Sequence, residues 1–168
     1  MPLVSDVGAG ANPPVSVYAE MNSSTPLGLA GTVLQLVQSA AMDLGNALPE
    51  TQWTQLGTPI MTCASVAVGV LNTREVALYD GKIQCGAQLH ADVTVGIVRE
   101  CSIEHDVTGH TDPARVGPIA LQMDKDSETL SLAASGMPGQ TTGASIQYSV
   151  EGGLAVVSML VTSEVVVW

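Results

Sequence analysis

The sequence predicts an α+β domain: a mainly antiparallel β-sheet with two flanking helices and an extended N-terminal arm. Three observations carry that expectation. Residues 84–101, QCGAQLHADVTVGIVREC, alternate between an apolar and a polar side. Two other stretches place apolar residues three and four apart, as one face of a helix does. Most of the β-type runs are separated by Asp-Gly or Gly-Gly, which favours tight hairpins and so antiparallel neighbours.

Residues 1–25 contain GAGANPP and MNSSTP and predict an extended arm without a core of its own. In an assembly such an arm is expected to lie across a neighbour. Residues 26–168 read as a single domain, with no internal repeat and no dividing linker.

The first helix is expected from Pro26, with Ser24 or Thr25 as its cap. Leu29, Val33, Val37, Ala40, Leu44 and Leu48 form its apolar stripe, with Gln35 and Gln38 off it. Gly28 and Gly31 weaken its first turn, and Gly45, Asn46 and Pro49 stop it. A strand over 60–71 follows, in which Ile60, Ala64, Val66, Val68 and Val70 share one side. Cys63, on the other side with Met61 and Ser65, is expected to be a small packed residue. A break at Asn72 and Thr73 separates it from REVALY. Asp80 and Gly81 then predict a two-residue type I′ turn.

The long strand over 84–101 is expected to be the spine of the sheet. Cys85, Ala87, Leu89, Ala91, Val93, Val95, Ile97, Arg99 and Cys101 share its apolar side. His90 and Asp92 lie on the polar side, which faces water or a partner. In a straight run Cys85 and Cys101 stand roughly 50 Å apart at ~3.3 Å per residue. A shared metal or a disulfide is therefore not expected. Gly96 is expected to mark a bulge or bend.

EHDVTGHTDP reads as a polar loop, followed by a second helix capped by Asp112 with Pro113 at its first position. Val116, Ile119, Ala120, Met123, Leu130 and Ala134 form its stripe, and Asp124, Asp126 and Glu128 are expected on its water side. Gly117 and Pro118 disturb the first turn, so a later start is also compatible. SIQYSV and LAVVSMLVTSEVVVW then form a hairpin through Glu151, Gly152 and Gly153.

The net charge is −11, charged residues are 12 % of the chain and apolar ones 46 %. So sparse an ionic coat predicts that part of the surface is covered by other subunits. The acidity disfavours non-specific binding to nucleic acid, though an acidic wall suits a channel through which DNA must slide. MPLVSDVGAG lacks the basic segment and apolar run of a signal peptide. The apolar C-terminal stretch is too short to span a bilayer as a helix and carries Ser158, Thr162, Ser163 and Glu164. No membrane partner is expected, and reduced cytoplasmic folding is.

Catalytic patterns are absent. There is no CxxC, GxSxG, GxxxxGK[ST] or GxGxxG. His105 and His110 sit five apart in a loop, where a solvated polar segment is the expectation and an adventitious metal the alternative. The carboxylates of DKDSE lie along one helix instead of across a cleft. The sequence names no catalytic, cofactor-binding or metal-ligating residue, and no cofactor is expected.

Asp80, the pair Cys85 and Gly86, Leu89, Val93, Val95, Arg99, Cys101, the pair Asp112 and Pro113, Asp124, and the pair Gly152 and Gly153 recur in a familiar order. Over about residues 27–168 the chain resembles the tail-terminator, or head-to-tail connector, proteins in the neck of long-tailed phages infecting actinobacteria. The resemblance implies a structural virion protein, assembled in the host cytoplasm, and no enzyme. It implies a homo-oligomeric ring, as a hexamer, that caps the tail tube. It implies as partners the tail-tube protein and a head-side stopper or connector, with DNA passing through the lumen without specific binding. A stopper or tube subunit is the alternative within that class, and a small metal-binding domain or enzyme outside it. The acidic loop 100–112 is the expected contribution to the lumen wall.

Overall fold

A computed structural model describes residues 25–62, 64–100, 113–137, 140–151 and 154–167. The arm, Cys63, the loop with Cys101, His105, His110 and Asp112, and the Gly152 and Gly153 turn lie outside them. The described elements run α1 (Pro26–Asp43), β1 (Thr51–Leu56), β2 (Ser65–Asp80), β3 (Ile83–Glu100), α2 (Pro113–Ser135), β4 (Gln140–Glu151) and β5 (Leu154–Val167). The strands form one sheet in the order β1-β2-β3-β5-β4. β1 is parallel to β2 and every other pairing is antiparallel. The α+β class and the mainly antiparallel sheet agree with the sequence, and β3 lies at its centre.

α1 begins where proline chemistry allows. Thr25 is the N-cap, its Oγ1 accepting from Gly28 N at 3.1 Å, and Pro26 has no N–H to leave unpaired. The helix ends in a Schellman arrangement. Gly45, at φ 63°, donates to Met42 O at 3.1 Å, and Asn46 donates to Ala41 O at 2.8 Å. Leu29, Val33, Val37 and Ala40 are buried as expected; Leu44 is exposed because the chain leaves the helix there. α2 accommodates Pro118 inside its second turn and begins at Pro113, without a later start.

Both helices cover one side of the sheet, and a single core lies between the layers. It holds Leu29, Val33 and Val37 of α1, Leu130 and Ala133 of α2, Val66 and Val68 of β2, Val93, Val95 and Ile97 of β3, and Val157, Met159 and Val161 of β5. β-branched residues suit this pleated, buried surface.

Several elements differ from the sequence expectation. β1 (TQWTQL) carries only two large apolar residues, Trp53 and Leu56, so periodicity does not mark it as a strand. The strand expected over 60–71 starts at Ser65 and runs to Asp80. Ile60 is accordingly outside the core and exposed. The break at Asn72 and Thr73 is a bulge: β2 gains the extra residue Leu71 between the pairs Val70↔Val93 and Asn72↔Asp92. The hairpin turn is Gly81 with Lys82, closed by the pair Asp80↔Ile83. Only Gly81 has positive φ there, which fits a type II′ turn and not type I′.

Gly96 is no bulge, for its pairings to Ala67 and Ser158 are in unbroken register. The reason for glycine lies above the sheet. The connection from β1 back to its parallel neighbour β2, described at residues 57–62 and 64, crosses the side away from the helices. A Cβ at Gly96 would come within 2.5 Å of Met61 Sδ, and one at Gly69 within 2.3 Å of Gly57 O and 2.6 Å of Pro59 Cδ. Ser65 Oγ anchors the same segment by donating to Thr62 O at 2.7 Å.

The obstacles differ in kind, which gives a test. Met61 can swing aside, whereas the Gly57 carbonyl and Pro59 ring cannot. Gly69→Ala is expected to destabilise by about 1–3 kcal/mol, the usual cost of overpacking. Gly96→Ala should cost less, and Met61→Ala in the same chain should recover most of that cost. Urea unfolding of the three variants beside the unsubstituted protein measures the ranking.

Candidate functional site

Arg99 lies on the core-facing side of β3, one residue from its end. An arginine among Val93, Val95 and Ile97 requires an anion. Asp126 on α2 supplies it, with its side chain fully buried. Arg99 Nε donates to Asp126 Oδ2 at 3.0 Å and Nη2 to Oδ1 at 2.7 Å, a two-pronged contact that suits the planar guanidinium. Nη1 donates to Ala47 O at 2.8 Å, just past the end of α1. Asn46 Nδ2 donates to Asp126 Oδ1 and to Thr129 Oγ1, both at 2.9 Å. Gln122 Nε2 donates to Asn46 Oδ1 at 3.0 Å and Asp126 Oδ1 at 3.2 Å.

This cluster corrects the expectation that Asp126 faces water. Asp124 and Glu128 are exposed, while Asp126 and Thr129 are buried. The signal was present: 126 lies three after Met123 and four before Leu130, on the helix's own buried stripe. The resemblance had singled out Asp124, two residues away. Arg99 and Asp126 are committed to each other and to α1, so the cluster fastens the fold and offers no free group for chemistry.

The other side of the sheet has a different character. Where the β1–β2 connection does not cover it, β3 presents His90, Asp92 and Thr94, β5 presents Ser158, Leu160, Thr162 and Glu164, and β4 presents Ser145, Gln147 and Ser149. Polar side chains there meet across strands. His90 Nδ1 lies 3.2 Å from Glu164 Oε1, and Thr162 Oγ1 donates to Asp92 Oδ1 at 2.6 Å. The bulge at Leu71 turns Asn72 and Arg74 to this side, beside a hollow of about 250 Å³ that His90, Asp92 and Thr162 also line. Sequence alternation predicted the polar side and its two residues His90 and Asp92; the pairing with Glu164 needs the β3–β5 register.

No group of three or more His, Cys, Asp or Glu among the described residues could hold a metal. His105, His110 and Cys101 lie outside them, as does the side chain of Cys85; of the acidic loop expected over 100–112, Glu100 ends β3 and residues 101–112 lie outside the described residues. No described helix is long and apolar enough to cross a membrane. Compared with known proteins, the sequence matches no family model and no curated protein.

The buried ion pair generates a clear expectation. Removing one partner strands the other charge in the interior, so Asp126→Leu and Arg99→Met should each destabilise by about 3–5 kcal/mol. The double variant Arg99→Met with Asp126→Leu should be less destabilised than the two single effects added. A double-mutant cycle by denaturant unfolding reads the coupling.

Proposed function

We propose that this protein is a structural ring component of a phage neck, a tail terminator that caps the tail tube and joins it to a head-side connector. The observation that carries the proposal is the open side of the sheet. It is a broad hydroxyl- and amide-rich surface on which Asp92 accepts from Thr162 and Glu164 lies beside His90. Among the described residues it exposes one arginine, Arg74, against the carboxylates Asp92 and Glu164. DNA binding gains its energy from several phosphate contacts at once. A wall with a single unfixed cation offers no such grip, so a duplex can slide past it. The open side is thus the proposed lumen wall among the described residues, and the acidic loop 100–112, of which residues 101–112 lie outside them, is proposed to contribute to the same wall.

Two further features support an assembly role. The β2–β3 hairpin carries Tyr79 and Ile83 to its tip, 62 % and 74 % exposed. Leu56 and Ile60 flank the β1–β2 connection and are also open to solvent. Apolar side chains at such projecting points suit contacts with copies or neighbours. In this proposal the ring ends tube growth because one face matches a tube subunit and the other does not. The host cytoplasm is the place of assembly and the virion the place of action.

Electron microscopy of the purified protein, with tail tubes added, tests the proposal. Closed rings that add to tube ends are expected. Filaments of the protein alone would identify a tube subunit, and binding only to the connector would identify a stopper. A persistent monomer holding stoichiometric metal, lost on substituting His105 and His110, would replace the proposal with a metal-binding domain.

A further inference from the structure

β4 is an outer strand of the sheet, 12 residues long. Its register with β5 is regular from Ala144 to Glu151, after an irregularity between Thr141 and Ala144. Among the described residues no strand pairs with its other edge. Proteins normally protect such an edge with lysine, proline or charge, because its unpaired N–H and C=O groups template another strand. From Gln140 to Val150 this strand has no charge and no proline. Gln147, Tyr148, Ser149 and Val150 are exposed, with Tyr148 at 59 % and Val150 at 46 %.

We infer that β4 is a self-association edge, and that its partner is β4 of a second copy, running antiparallel about a twofold axis at Tyr148. The sequence of the strand is self-complementary in that register. A twofold perpendicular to the sheet keeps the helix-covered side on one side, so opposed residues must share a side. Centring on residue 148 places Tyr148 opposite Tyr148, and Ile146 opposite Val150 twice, all on the side that carries the core. On the open side Gln147 meets Ser149 twice. Aromatic and β-branched cross-strand pairs are the favourable ones.

Electrostatics points to the same edge. Each chain carries −11, so two copies repel one another over most of their surface. Contact is cheapest where charge is missing. In this register the one charged residue of β4, Glu151, stands opposite Ser145, and the two Glu151 residues lie at opposite ends of the contact. Pairing would extend the five strands of each copy into one continuous sheet, with both helical layers on the same side.

The inference does not rest on the ring. Rings and β4 pairs can coexist, as two rings joined through their subunits or as a ring built from pairs. Cross-linking separates the two ideas. In an antiparallel pair opposed Cα atoms are about 4.5–5.5 Å apart, within disulfide range. Tyr148→Cys in the full chain should give a reducible dimer under mild oxidation, well above the background that the three native cysteines give in the unsubstituted protein. Gln147→Cys mixed with Ser149→Cys should cross-link at least fivefold more than either alone. Gln147→Lys with Ser149→Lys, which opposes like charges, should weaken the dimer at least tenfold in sedimentation while leaving the circular dichroism unchanged.

Folded Tyr148→Cys protein without dimer above background would overturn the inference. So would Tyr148→Cys joining Thr54→Cys of β1 in preference to itself, since that marks a head-to-tail contact. Rings seen without the Tyr148→Cys dimer would sink the β4 pair and leave the neck proposal standing. The dimer without rings would do the reverse.

Discussion

The structure depends on one buried carboxylate. Asp126 is fully enclosed, and its Oδ1 accepts from Arg99, Asn46 and Gln122 while Oδ2 accepts a second bond from Arg99. An unpaired charge in that position would cost several kcal/mol. The penalty disappears only when three separate pieces arrive together: the end of β3, the middle of α2 and the residues just beyond α1. Sliding α2 by one turn along the sheet would carry Asp126 past Arg99. The apolar contacts, being non-directional, would tolerate that slide better. We regard the pair as the element that selects one placement of the helical layer, with the core supplying most of the stability.

That placement decides what the rest of the sheet can do. With both helices on one side, the other side must find separate cover or remain open. Part of it is closed by the β1–β2 connection, and the closeness of that cover is why Gly69 and Gly96 have no side chain. The remainder keeps its water contact through hydroxyls, amides and a few charged side chains. A two-layer domain of this kind has one stable core and two uncommitted features, the open side and the outer strand β4. The proposed lumen wall and the inferred self-association edge occupy those two features, and of the residues paired at that edge Ile146 also packs against the core.

How legible this was depends on whether a feature is local. α1 was readable because cap, proline, stripe and terminating glycine are all encoded within one segment. β3 was readable because its sequence alternates over most of its 18 residues. β1 was not, for TQWTQL becomes a strand by pairing with β2 and by the Gln38 Nε2 bond to Gln52 Oε1 at 2.7 Å, both supplied from elsewhere in the chain. Gly96 was misread as a bulge because its constraint is Met61, which is 35 positions away in sequence and directly above it in space. For Asp126 the local pattern was in fact correct: spacing placed it on the buried stripe, and only the habit of assigning carboxylates to water moved it off. An arginine on an apolar strand side and an aspartate on an apolar helix stripe, taken together, predict each other.

The scarcity of charge gives the surface its logic. Among the described cations, Arg99 is spent on Asp126, and the open side of the sheet shows only Arg74. A surface with so few cations cannot neutralise a chain at −11, so attraction between copies cannot come from long-range electrostatics. It has to come from short-range contacts that gain energy only after close approach: backbone hydrogen bonds at a strand edge, or apolar side chains such as Tyr79, Ile83 and Tyr148 losing water. Such contacts demand correct geometry and give little to a misaligned encounter. Repulsion at distance combined with adhesion at contact is the behaviour required of a part that must stay dispersed until its intended neighbour is in place. For the inferred β4 pair it also implies that added salt, by screening the repulsion over about 8–10 Å, strengthens association where it would weaken a contact built on ion pairs.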